Sequence, residues 1–140
     1  MPADVRERCS AIEECYEFML AYAAQGLPGD EGHESGGQLR HFLRQCVEAL
    51  SGLSDSYAAA VSEAGLEPVE RYRAFLKVLE RDAADSLAAI EMVLAQPAIS
   101  SQLIDNLNAS IHLRALLTDL FLVDEILRPQ QAPADPAATA

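Results

Sequence analysis

Glycine and proline cut this chain at a few places only, and between the cuts apolar residues recur every three or four positions. That combination leaves little room for anything but packed helices, because strands alternate with a period of two. The opening segment, from about Asp4 to Gln25, sets Val5, Cys9, Ile12, Tyr16, Met19 and Ala23 on one helical face. It begins with Asp4 and Glu7 in capping-box spacing and stops at Gly26-Leu27-Pro28, a glycine C-cap followed by a proline. A polar, glycine-rich linker, GLPGDEGHESGG, follows. Ser35 and Gln38 offer a second capping box, and Leu39, Phe42, Leu43, Cys46, Leu50, Leu53, Tyr57 and Val61 trace the next face as far as Gly65-Leu66.

Pro68 is preset for the start of a third helix, which carries Tyr72, Phe75, Leu76, Leu79, Ala83, Leu87, Ile90 and Leu94 up to Gln96-Pro97. A fourth runs from about Ala98 to Leu127, where Arg128-Pro129 ends it. Three of these helices span about 28 residues, or about 42 Å. With short connections on two of three sides, the economical arrangement is an all-α antiparallel up-down-up-down four-helix bundle over residues 1–128. The tail at 129–140, low in complexity and rich in Pro and Ala, reads as disordered.

Charge narrows the partners. A formal net charge of −12 on 140 residues, with half of them apolar, argues against nucleic acid, which needs clustered Lys and Arg. It also disfavours anionic membrane surfaces. No apolar run is long enough to cross a bilayer and no signal sequence opens the chain, so the expected location is cytoplasmic. Three cysteines without paired motif spacing fit reduced thiols. Cys9 and Cys15 lie about 240° apart on one helix and cannot share a metal, whereas folding about the first linker brings Cys15 level with Cys46.

Short loops also fix heights between neighbours. Folding about Pro97 places Asp82 level with Arg114 and Ser86 level with Ser110, which predicts an Asp82–Arg114 ion pair at the edge of the core. Asp105, Asn108, His112 and Asp119 form a polar stripe too long for one ion, and Asp30, Glu31, His33 and Glu34 sit among flexible glycines. No metal site and no cofactor is read from either set. Nucleophile elbows, phosphate-binding glycine loops and HExxH motifs do not occur.

His41, within QLRHFLRQC, faces solvent on the helical wheel between Arg40 and Arg44. His41, Leu43 and Arg44 on a second helix resemble the motif of histidine-phosphotransfer domains, small acidic four-helix bundles with an exposed phosphoryl-accepting histidine. That resemblance implies His41 as acceptor and Arg44 as the cation steadying the phosphoryl group. Gln45 stands where those domains carry glycine, and it crowds the approach of a response regulator.

The stretch HLRALLTDLFLVDEIL makes the strongest physical demand. Leu113, Leu117, Leu120 and Phe121 satisfy the core, so Leu116, Leu122, Val123 and Ile126 fall outside that stripe. A helix apolar nearly all round needs burial all round, and an exposed patch of this kind marks an interface. The expected function is therefore a non-enzymatic protein-interaction module (adaptor, chaperone or regulator) that forms a homodimer through these residues. A phosphorelay domain using His41, or a bundle holding a small ligand among its tyrosines, are the alternatives.

Overall fold

The computed structural model describes residues 3–131, with side chains from Asp4 to Leu127. Among the described residues the chain is all-helical, in six α-helices: α1 (Ala3–Ala23), α2 (Glu34–Leu50), α3 (Leu53–Ala64), α4 (Val69–Leu94), α5 (Ser101–Ala109) and α6 (His112–Gln131). The expected second and fourth helices are each broken in two, so a plain four-helix bundle does not describe the molecule.

The first break has a visible cause. Arg8, on α1, donates from Nη1 to the carbonyls of Glu48 and Ala49, both at 3.1 Å. These are terminal carbonyls of α2 that no intrahelical N–H reaches. The guanidinium lies so close to Gly52 that a Cβ there would sit 2.9 Å from it. α2 therefore stops against Arg8, and α3 restarts at Leu53 in a new direction. Asp4 anchors the same corner, accepting from Arg8 Nε at 3.2 Å and from the hydroxyl of Ser56 on α3. Its carboxylate is engaged there rather than in the expected cap.

The second break falls at Ser110-Ile111. Ser110 Oγ donates to the Leu107 carbonyl at 2.6 Å, and Ile111 takes a left-handed backbone with φ 63°. Only the short α5 precedes it, starting at Ser100, whose hydroxyl accepts from Leu103 N–H as a true N-cap. α5 packs chiefly on α1, while α6 returns along α4. Gly65 ends α3 in the left-handed conformation, φ 60°, which a side chain would strain. α6 continues past Leu127, where an end was expected, to Gln131; the rest of the Pro/Ala tail lies outside the described residues.

One apolar cluster draws on all six helices, with Ile12, Met19, Leu39, Leu43, Leu79, Ile90, Ile104 and Leu116 fully buried within it. Cys15 and Cys46 meet there, both fully buried and both free. A hydrogen bond to Cys15, reinforced by burial, pushes the Cys46 thiol far above the ordinary range, so it stays protonated and unreactive. Burial, with Glu13 and Asp124 adding repulsion, pushes the Cys9 thiol up to about 11.

Candidate functional site

Two polar centres and one apolar face are the candidates for a site. The first centre is built from the glycine-rich linker. Asp30 is buried there, and it accepts from Arg40 Nε at 2.5 Å and from the Ile99 N–H at 2.7 Å. Arg40, on α2, also donates to the carbonyls of Leu94 (3.2 Å) and Gln96 (3.0 Å) in the α4–α5 connection. Beside it, the Tyr22 hydroxyl donates to the Ile99 carbonyl at 2.7 Å, and Ser101 Oγ donates to the Tyr22 carbonyl at 2.7 Å. Gly36 makes the approach feasible, since a Cβ at that position would overlap the Asp30 carbonyl.

The hydrogen bond from Arg40 holds the Asp30 carboxyl below its ordinary range, with the Ile99 N–H assisting. Asp30 and Arg40 are satisfied on several sides, so this centre clamps the linker to the α4–α5 turn and offers nothing to a substrate. It also changes two expectations. Asp30 is no part of a loose cation loop, and Arg40 turns away from His41 toward the linker.

The second centre lies between α4 and α6. No ion pair joins Asp82 to Arg114; the Asp82 carboxyl instead lies beside that of Asp119, within reach of a hydrogen bond once one of them is protonated. The reason is the break at Ser110-Ile111. Because α5 leaves the α4 hairpin for α1, the residue level with Asp82 is five positions further along the chain than a continuous helix would place it. Burial, and then the neighbouring Asp82 carboxyl, push Asp119 up to about 7. Two ionised carboxylates offer no donor to each other, so a hydrogen bond between them requires a proton on one, which the raised Asp119 carboxyl supplies.

This proton has a consequence for stability. A carboxyl whose folded pKa is raised is stabilising while it holds its proton, fully so below the unfolded value near 3.8, and that contribution is lost as pH rises through about 7. Asp119→Asn is expected to match the parent near about pH 4 and to exceed it by about 1 kcal/mol at about pH 8, after discounting for partial exposure. Urea unfolding at the two pH values checks it; an equal difference at both would refute the shared proton.

His41 lies exposed on α2, its ring centroid 6.0 Å from that of Phe42, and its imidazole makes no hydrogen bond among the described residues. Arg44 is exposed as well. Neither side chain is held by a hydrogen bond or an ion pair to a third group among the described residues. Among the described residues no three His, Cys, Asp or Glu side chains gather as metal ligands. No described helix is long and apolar enough to cross a membrane.

The apolar face belongs to α6. The four residues expected on its outside divide into two pairs. Leu116 (0 % exposed) and Val123 (3 %) are buried inside the chain, whereas Leu122 (52 %) and Ile126 (43 %) are open, and Phe121, expected in the core, is 54 % exposed. The buried stripe runs Leu113, Leu116, Leu117, Leu120, Val123 and Leu127, rotated away from Phe121 because α4 and α1 flank the helix on that side. Phe18 and Leu20 give no cover, since Phe18 stacks on Phe42 at 4.8 Å and Leu20 is itself exposed, but Glu13, Tyr16 and Glu17 of α1 border a groove beside Phe121. Beside Leu122 and Ile126 a cavity of about 300 Å³ opens between α3, α4 and α6, walled by Tyr57, Tyr72 and Phe75.

Comparison with known protein families, with curated proteins and with solved structures finds no match to this chain.

Proposed function

We infer that this protein is a non-enzymatic protein-interaction module that self-associates through the outer face of α6. One observation carries the reading: Phe121, Leu122 and Ile126 are each about half exposed along the solvent side of α6, Phe121 at its edge beside Tyr16 of α1 and Leu122 and Ile126 at its edge beside Tyr72 and Phe75 of α4, and among the described residues nothing covers them further. Burying a large apolar side chain contributes about 1.5–3 kcal/mol. Three such residues, mirrored across a two-fold axis, can form the centre of a small interface. Asp30, Arg40, Tyr22 and Ser101 are tied up in structural pairs, so the polar clamp at the linker does not compete with this face as an interaction site.

Charge sets the conditions. Two copies at −12 each repel, so association strengthens as salt screens them. The contact is read by mixing isotope-labelled with unlabelled protein and recording intermolecular NOEs. Methyl groups of Leu122 and Ile126 are expected to show them, and the methyls of Leu20 on α1 are not. Intermolecular NOEs confined to another face would overturn the assignment.

A further inference from the structure

We propose that the cavity between α3, α4 and α6 binds a small amphiphile with an apolar tail and a single carboxylate, the tail against Tyr72, Phe75, Leu122 and Ile126 and the head at Arg71 and Tyr57. The lining decides the chemistry. The chain carries 22 Asp and Glu, yet among the described residues none of them borders this cavity, and Arg71 is the charged residue that does. Arg71 is exposed at the cavity's edge, and its guanidinium forms no ion pair or hydrogen bond among the described residues. In a chain this acidic, an arginine left without a carboxylate is available to an anion from outside.

Tyr57 supplies an independent observation. It is 1 % exposed, and its hydroxyl makes no hydrogen bond among the described residues. A buried hydroxyl normally finds a partner. The polar atoms sealed from solvent and left unpaired are Ser86 Oγ, Asn108 Oδ1 and Asp119 Oδ2, and the Tyr57 hydroxyl is not one of them. The residue's small remaining access therefore lies at its hydroxyl, and the cavity it lines is where that access leads. Burial, with Tyr72 adding repulsion, pushes the phenol up to about 12, so it is a permanent donor. A guanidinium at the edge, a phenol donor behind it and an aromatic-aliphatic wall together fit a carboxylate on a hydrocarbon. At about 300 Å³ the cavity lies at the small end of ligand pockets, which limits the tail to a medium chain.

This inference does not depend on self-association, although Leu122 and Ile126 border both features. The test is isothermal titration of the full chain with sodium decanoate below its micelle concentration, with decanol as the uncharged control. Saturable binding of one decanoate per chain is expected, weakened about tenfold in Arg71→Gln and several-fold in Tyr57→Phe, each losing a charge-assisted or neutral hydrogen bond. Decanol is expected to bind more weakly and to ignore Arg71. Circular dichroism of both variants checks that the fold is kept. Absence of saturable heat, or decanoate binding indifferent to Arg71→Gln, would overturn the proposal. Phe121→Glu separates the two readings, because Phe121 does not line the cavity: it is expected to abolish self-association while one decanoate per chain still binds with the same dependence on Arg71.

Discussion

Arg40→Met is expected to lower folding stability by about 3–5 kcal/mol, the cost of removing one member of a buried ion pair. Methionine keeps most of the volume of the arginine stem, so cavity formation adds little. What is lost is electrostatic. Asp30, whose side chain is 6 % exposed, keeps a negative charge with only the backbone N–H groups of Ile99 and Asp30 itself to receive it, and the carbonyls of Leu94 and Gln96 lose their donor. Exposure decides the magnitude: a pair in water would contribute less than about 1 kcal/mol, but here water cannot replace the guanidinium around Asp30. The clamp also joins segments far apart in sequence, so its loss frees both the linker and the α4–α5 turn. Urea unfolding followed by circular dichroism measures the change, and a loss below about 1 kcal/mol would show that the pair behaves as a surface contact.

The second large effect is a contrast between neighbours on α6. Val123→Glu places a carboxylate at a position 3 % exposed and is expected to cost more than about 4 kcal/mol, enough to unfold much of the population. Leu122→Glu, at a position 52 % exposed, is expected to change stability by less than about 1 kcal/mol and to leave the helical spectrum intact while abolishing self-association. Thermal melts of the two variants side by side report it. Equal unfolding in both would mean that Leu122 is covered within the chain.

Much of this arrangement could be read from sequence, and what could not has identifiable causes. Gly65 and Gln96-Pro97 are strong local stops, and the helices end there or within two residues. The encounter of Cys15 with Cys46 followed from counting outward from the linker. Ser51-Gly52 passed unread because Leu50, Leu53 and Tyr57 keep the helical spacing across it; only Arg8, distant in sequence, decides that α2 ends there. Similarly, Leu107 and Leu117 suggested one stripe across Ser110-Ile111, and the path of α5 toward α1 is a tertiary choice with no local signal.

The face of α6 illustrates the same limit. In LLTDLFLVDEIL either Leu120 or Phe121 can continue the stripe from Leu113 and Leu117, and a rotation of about 100° per residue separates them. Where α1 and α4 lie selects Leu120, which buries Leu116 and Val123 and exposes Phe121. Asp30–Arg40 was out of reach for a different reason. A carboxylate among glycines reads as mobile, and the Ile99 N–H and the carbonyls that complete its site are backbone groups, which no side-chain pattern reveals.

Self-association is the claim on which the function rests, and the molar mass of the wild-type chain in solution tests it most directly. Light scattering over a range of concentrations, at low and at moderate salt, is expected to rise from one chain toward two, and to do so at lower protein concentration when salt is added. A mass that stays at one chain under every condition would contradict the account.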